Sequence, residues 1–330
     1  MLAALSWLAA SPAVAAAAPL SYVVDAAGPA ARPALWLVWG VGAVCVLVCL
    51  IVALLLVGAL ARRRPAREFG QLERSGRGVK WIYFGTALSV IALLGIVVAM
   101  LVALRAVSRP AVPTELAVRV TAYDWWWRID YPASPDAPAF VTANELHIPV
   151  GVPVRIDLDS ADVIHAFWVP ALAGKTQAIP GQTNRQWLQA DRPGVFRGQC
   201  TQFCGAQHAH MAFEVIAESP AAFQRWRAAQ ASTAAPVRDR LALRGQALFG
   251  QLCAGCHAVR GSGTTGQHAP DLTHLGSRRM LAAATLPNDA AHLRDWLRHT
   301  QSIKPGARMP DFDLPEPELS ALMSYLATLK

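Results

Sequence analysis

The sequence predicts a multidomain chain: a two-helix transmembrane hairpin, then an all-β domain, then an all-α domain. Three observations carry this. Two runs free of charged side chains, Ala34 to Leu60 and Trp81 to Leu104, each exceed the ~20 residues a helix needs to cross ~30 Å of hydrocarbon. Between Glu115 and Ala217 the pattern changes to short alternating segments broken by proline and glycine. The final segment closes on Leu319, Leu322, Met323 and Leu326, spaced i, i+3, i+4, i+7 as the core-facing stripe of a helix.

Taken in order, residues 1–33 form an export segment or N-terminal tail. Met1 to Ala18 is apolar and alanine-rich with small residues at Ala16 and Ala18, as before a signal cleavage site, but it lacks a basic start. Residues 34–108 form the hairpin, with spans at about 34–60 and 81–104. Arg62, Arg63, Arg64, Arg67, Arg74, Arg77 and Lys80 lie between the spans against only Glu68 and Glu73, which accounts for five of the eight net positive charges. By the positive-inside rule this loop stays cytoplasmic and everything after Leu104 lies on the outer face. The basic excess is thus a topology signal, and no Arg/Lys stripe with interleaved aromatics remains elsewhere to bind nucleic acid. Trp36, Trp39, Trp81 and Tyr83 sit near the span ends, where aromatics anchor at the interface or simply pack.

Residues 114–218 form the β domain, a sandwich or barrel. Val152, Val154, Ile156 and Leu158 alternate with Pro153, Arg155 and Asp157 as a half-buried strand, and Phe196–Cys200 and Met211–Ile216 read as two more. Residues 219–237 form a linker. An amphipathic stretch around Phe223 and Trp226 leads into Ala231-Ser-Thr-Ala-Ala-Pro236, whose composition predicts a flexible tether and loose docking of the C-terminal domain. Residues 238–330 form that last domain.

Two motifs carry chemistry. Cys200-Thr-Gln-Phe-Cys204-Gly-Ala-Gln-His208-Ala-His210-Met211 is a loop of soft ligands between two strands, and thiolate, imidazole and thioether donors favour copper over calcium or magnesium. A Cys200–Cys204 disulfide and a Cys₂His₂ zinc site are the competing readings. Cys253-Ala-Gly-Cys256-His257 is the C-x-x-C-H pattern of covalent c-type haem, with His257 as proximal ligand. A thioredoxin-like pair or half a zinc ribbon would need a βαβ pattern or a second cysteine pair. Met309, in a proline-flanked loop, is the candidate distal ligand, with Met280 and Met323 as competitors. His147 reads as a surface or satisfied histidine, His210, His268 and His274 as solvated, and Cys45 and Cys49 as packing residues of the first span.

With Asp162-Val-Ile-His165 upstream, the soft-ligand loop closely resembles the binuclear CuA domain of cytochrome c oxidase subunit II, over residues 34–217 with the two-span anchor. The resemblance implies a cupredoxin-like Greek-key fold. It makes Cys200 and Cys204 the bridging ligands of two copper ions, His165 and His208 the terminal imidazoles, and Met211 and the carbonyl of Gln202 the weak ligands. It also makes Trp125, in Tyr123-Asp-Trp-Trp-Trp127, the residue at which electrons arrive. The last domain resembles class I cytochromes c with one covalent haem c, and Ala269-Pro-Asp-Leu-Thr-His-Leu-Gly276 places a Pro270 carbonyl on the proximal imidazole.

The resemblance further implies a proton-translocating cytochrome c oxidase reducing O₂ to water in the bacterial plasma membrane. The O₂ site would lie on subunit I, with subunit III, lipid, and cytochrome c or another donor as further partners. The electron-input subunit of a CuA-containing nitric oxide reductase is the alternative. A copper-delivery factor has no use for a covalent haem, and quinol-oxidase subunits lack the copper ligands present here. Gln202 and Gln177 replace the family's usual Glu and Asp, which puts an interface magnesium site in doubt because amides are poorer hard-cation ligands. Arg77-Gly-Val-Lys80 stands where an acid often precedes the second span.

Overall fold

A computed structural model describes residues 25–62 and 78–330. The expected cleavage region and most of the basic loop, Arg63 to Arg77, lie outside the described residues. Helices α1 (Arg32–Ala61) and α2 (Val79–Ser108) cover both apolar runs. Each is 30 residues long and contains an 18-residue stretch of mean hydropathy 3.2 and 2.9 respectively, and neither is buried by the rest of the chain, so both are long and apolar enough to cross a bilayer.

Their upper ends are stitched to the β domain. Residues 25–31, expected as part of a tail, are packed: Ala27 N–H donates to the Ala171 carbonyl (2.7 Å) and the Ala27 carbonyl accepts from Asp191 N–H (2.8 Å). Arg192 pairs with Asp25 at 2.8 Å, Arg32 pairs with Asp191, and Ala27, Ala30 and Ala31 are buried. A Cβ on Gly28 would collide with the Gln189 carbonyl, so only glycine permits this approach. At the end of α2, Trp187 Nε1 donates to the Val107 carbonyl at 2.8 Å.

The β domain is two facing five-stranded sheets. Its strands are β1 (Leu116–Tyr123), β2 (Trp126–Tyr131), β3 (Phe140–Ala143), β4 (Glu145–Pro149), β5 (Val154–Ser160), β6 (His165–Trp168), β7 (Lys175–Ala178), β8 (Asn184–Leu188), β9 (Gly194–Cys200) and β10 (Ala212–Glu218). The sheet orders are β3-β2-β1-β5-β8 and β4-β10-β9-β6-β7, with β1/β5 and β4/β10 parallel and the other pairs antiparallel. In β5, Val154, Ile156 and Leu158 face inward as their alternation predicts, while Val152 falls just before the strand. Trp127, Phe167 and Phe213 meet at the centre with ring centroids 4.3–5.6 Å apart. Burying each contributes about 1.5–3 kcal/mol.

The expected linker is largely structured. Ser219 caps and Pro220 opens α3 (Pro220–Ala231), which is seated on the β domain by buried Phe223 and by Trp226. The Trp226 ring stacks on His147 (centroids 3.9 Å, 7° between planes) and meets Tyr131 and Phe140 edge-on. Beyond it the chain is held by Arg260, whose Nη2 donates to the Gln230 carbonyl at 2.5 Å and whose own carbonyl accepts from Ala234 N–H at 2.9 Å. The expectation of a free tether is therefore corrected. Its small residues suit a tight crossing between modules as well as they suit a flexible spacer.

His147 is buried between Glu145 (3.8 Å) and Glu218 (3.5 Å), ion-pair contacts longer than hydrogen bonds. Burial alone would lower the imidazole, but the two carboxylates outweigh it and hold His147 above its ordinary value, while His147 holds Glu218 below its own. A raised His contributes stability that is full below its unfolded value of about 6.5 and is lost as pH rises through the folded value; the lowered Glu218 contributes above about 4.3 and is lost as pH falls. The urea midpoint should therefore peak between these limits, and in H147Q its alkaline decline should flatten.

In the last domain, Asp239 caps α4 (Arg240–Leu252) and Asp289 caps α5 (Ala290–Arg298). A short α6 (Thr300–Ile303) precedes α7 (Glu316–Thr328). Helices α4 and α7 cross where Gly245 meets Ala321, and Phe249 packs against Tyr325 at 5.4 Å. Leu319, Leu322 and Leu326 are buried as the stripe predicts, with Met323 at the core's edge.

Candidate functional site

Three elements bring the soft ligands together. His165 opens β6, Cys200 ends β9, and the return to β10 passes through Cys204, a short 3₁₀ turn at His208–His210, and Met211. The Cys200 Sγ lies 3.8 Å from Cys204 Sγ, 3.9 Å from His165 Nδ1 and 3.3 Å from the Gln202 carbonyl. The Cys204 Sγ lies 3.5 Å from His208 Nδ1 and 3.8 Å from Met211 Sδ. All six expected residues converge. The sulfurs are too far apart for a disulfide, which needs about 2.05 Å. They stand instead at about the spacing of two ~2.3 Å metal–sulfur bonds meeting at one ion.

The surrounding groups orient the donors. Asp162 Oδ1 lies 2.7 Å from His165 Nε2 and accepts Val163 N–H at 2.7 Å, while Oδ2 accepts Asp124 N–H at 2.7 Å. A carboxylate on Nε2 fixes that nitrogen as a donor and aims Nδ1 at Cys200. Burial would lower His165, but Asp162 and then Cys200 outweigh it and raise the ring to about 9. The contact with Cys204 holds Cys200 below the usual thiol range against the opposing effect of burial, and Cys204 is correspondingly pushed up. Trp125 Nε1 donates to the Cys204 carbonyl at 2.8 Å. The other two tryptophans pack: Trp126 stacks on Tyr123 and Trp127 is in the core.

In the last domain, Cys253 and Cys256 are free thiols on the turn that ends α4, with His257 N–H closing onto the Cys253 carbonyl at 2.9 Å. His257 Nδ1 donates to the Pro270 carbonyl at 2.7 Å, which leaves Nε2 as the acceptor, and burial holds the ring below its usual value and so neutral. The imidazole lines a cavity walled by apolar side chains that include Leu272, Leu281, Leu293 and Leu297. Met309 stands in that wall. So does Met280, whereas Met323 does not. Two thiols one turn apart, followed directly by a neutral imidazole that shares an apolar cavity with a thioether, suit a c-type haem.

The cavity's outer wall belongs to the β domain: Asp124, Trp125, Trp126 and Asn144 line it beside Lys304 and Arg308. Sequence reasoning missed this junction, because nothing marks Lys304 in a Lys-Pro-Gly loop as an interior residue. Lys304 is buried, and burial holds its ammonium below the usual lysine value. The reading of His274 as solvated is corrected, since it is buried with Nε2 3.2 Å from the Ser232 carbonyl. His210 and His268 are exposed.

Comparison with known proteins agrees with this geometry. Residues 133–218 match the family described as cytochrome c oxidase subunit II, periplasmic domain, and residues 242–330 match the cytochrome c family. The chain is 39% identical over 215 residues to cytochrome c oxidase subunit 2 of Alkalihalophilus pseudofirmus, covering 64% of this chain and 61% of that one. It is 34% identical over 227 residues to the subunit of the same name from Bacillus sp. strain PS3, covering 65% and 62%. The matches therefore span about three fifths of those relatives' length. A solved structure, the periplasmic domain of subunit II of cytochrome oxidase of Bradyrhizobium japonicum, is 30% identical with a TM-score of 0.34 and covers 37% of this chain and 96% of its own. The chain thus carries a segment similar to the periplasmic domain of cytochrome c oxidase subunit II, followed by one similar to cytochrome c.

Proposed function

We propose that this chain is the electron-input subunit of a respiratory haem-copper oxidase, anchored in a bacterial plasma membrane by two spans with both later domains on the outer face. The convergence of two thiols, two imidazoles, a thioether and a carbonyl within 3.3–3.9 Å contacts carries this reading. Cys200, Cys204, His165, His208, Met211 and the Gln202 carbonyl would hold a pair of copper ions. Cys253 and Cys256 would hold the haem covalently, with His257 and Met309 as the side chains that would bind its iron. When bound, these groups supply one-electron carriers that connect an outside donor, cytochrome c or another, to the oxygen-reducing partner subunit.

The chain's own residues prepare the site. Asp162 fixes the His165 tautomer, and the Pro270 carbonyl does the same for His257. The β-sandwich core holds both sulfurs away from water, because Cys200 and Cys204 are 1% and 6% exposed. A buried, preformed ligand set changes geometry little between oxidation states, which suits electron transfer rather than substrate turnover.

Elemental analysis of the purified chain should give two coppers and one covalent haem. Electron paramagnetic resonance of oxidised protein should show spin shared over two equivalent coppers. An isolated cupric signal after full reconstitution would sink this reading.

A further inference from the structure

The two modules meet at a junction that neither ligand set requires. Lys304 lies on the loop between α6 and Met309, and its side chain crosses into the β domain. Its Nζ donates to the carbonyls of Trp125 (2.8 Å) and His210 (3.0 Å), and to the carbonyl of Ala282 in its own domain (3.4 Å). Three carbonyls match the three protons of an ammonium group. Burying a lysine is costly unless it is fully partnered, so a loop fastened in this way has one seat rather than several. Adjacent contacts converge on the same spot: Gln207 Nε2 donates to the Pro305 carbonyl at 2.7 Å, and Arg308 approaches Asp124 at 3.9 Å. The loop is itself stiffened by Gln301, whose Nε2 donates to the carbonyls of Ala307 (2.7 Å) and Met309 (2.6 Å).

The position matters as much as the bonding. Trp125 lines the cavity that contains His257 and Met309, and its indole Nε1 donates to the carbonyl of Cys204. One side chain thus forms a wall of the haem cavity and a hydrogen bond to the sulfur-bearing loop. Lys304 grips the backbone of that same residue. No other described lysine spans the two domains in this way.

We propose that Lys304 is a positioning residue for electron transfer between the two modules, holding the Met309 loop against Trp125 so that a single indole adjoins both cofactor sites. The proposal rests on the haem and copper assignment above. In each transfer one electron leaves the reduced haem module and arrives at the oxidised copper module; no bond is made or broken and no proton need move. Without the latch the loop would sample separated positions, and the rate would fall because electron transfer weakens steeply with gap width.

The test uses the full-length chain loaded with copper and haem, with K304M, which keeps the aliphatic stem but removes the three donors, and K304R and K304Q, which retain donors. Electron transfer after flash reduction of the haem should slow at least tenfold in K304M and recover to within threefold of wild type in K304R, with K304Q between them. The methionine–haem absorption band and the copper resonance should be unchanged in all three. Amide hydrogen exchange across residues 300–310 should accelerate in K304M while α4 and α7 keep their protection. The proposal is overturned if K304M transfers within twofold of wild type, if K304R and K304Q are both as slow as K304M, or if the slowing occurs only where a cofactor spectrum has changed. Absence of bound copper or haem in the wild-type chain would instead overturn the cofactor assignment, so the two failures are distinguishable.

Discussion

Replacing Cys200 with serine is expected to lower copper content from two ions per chain to less than one and to slow transfer to the partner by at least a thousandfold. Cys200 lies within 3.9 Å of three other donors, Cys204 Sγ, His165 Nδ1 and the Gln202 carbonyl, so its sulfur is the point at which the site's two halves meet. A serine hydroxyl is a hard, neutral donor that does not ionise near neutrality, whereas the contact with Cys204 already holds the thiol it replaces below its ordinary value. The loss should be chemical, because β9 and its pairing with β10 do not depend on the sulfur. Q202A is the matching control: position 202 offers its carbonyl, which the substitution keeps, so copper content should stay at two. Copper-to-protein ratios and resonance spectra of both variants check the pair. A C200S protein that retains two coppers would refute the assignment of Cys200.

Gly245→Ala should destabilise the haem domain by about 2–3 kcal/mol, the upper part of the range for overpacking a close helix contact. A Cβ at Gly245 would run into the Ala321 carbonyl and crowd the Tyr325 Cβ, and the obstacle on α7 is backbone that cannot rotate away. Helix propensity pulls the other way by about 1 kcal/mol, and steric collision wins because it is larger. The same exchange at Gly250, in the same helix, meets nothing within 4 Å and should stabilise by up to about 1 kcal/mol. For a domain of this size the first change should lower the melting temperature by roughly 10–20 °C. Thermal melts of the two variants followed at the haem absorbance decide the matter, and equal melting temperatures would contradict the predicted crossing.

The features that showed in the sequence are those whose physics is local. The alternation of Val154, Ile156 and Leu158 encodes a strand because neighbouring side chains alternate faces, and Cys200, Cys204, His208 and Met211 lie in one loop where spacing alone brings them together. His165 is 35 residues from Cys200, and its place in the set came from resemblance rather than from any pattern in the intervening chain. Contacts between domains left no such trace. Lys304, His147 and His274 are polar residues of kinds usually found in water, and each is buried against partners distant in sequence, Trp125 and His210 for the first, Trp226 for the second and Ser232 for the third. Helix α3 was half legible: Ser219-Pro220 is a strong helix start, but the small residues after Gln230 read as slack because composition does not reveal that Arg260 gathers them.

The stitched neck above the bilayer has a mechanical consequence. Asp25 to Arg32 and Val107 are fastened to one patch of the β domain around Ala171 and Trp187 to Arg192, so two columns enter the same socket from below. A domain hung from one strand can swivel; a domain on two fixed struts cannot. Lateral pressure that tilts α1 against α2 is therefore passed on as torque to the sheets, and the height and azimuth of the Cys200–Met211 loop are set by the lean of the hairpin.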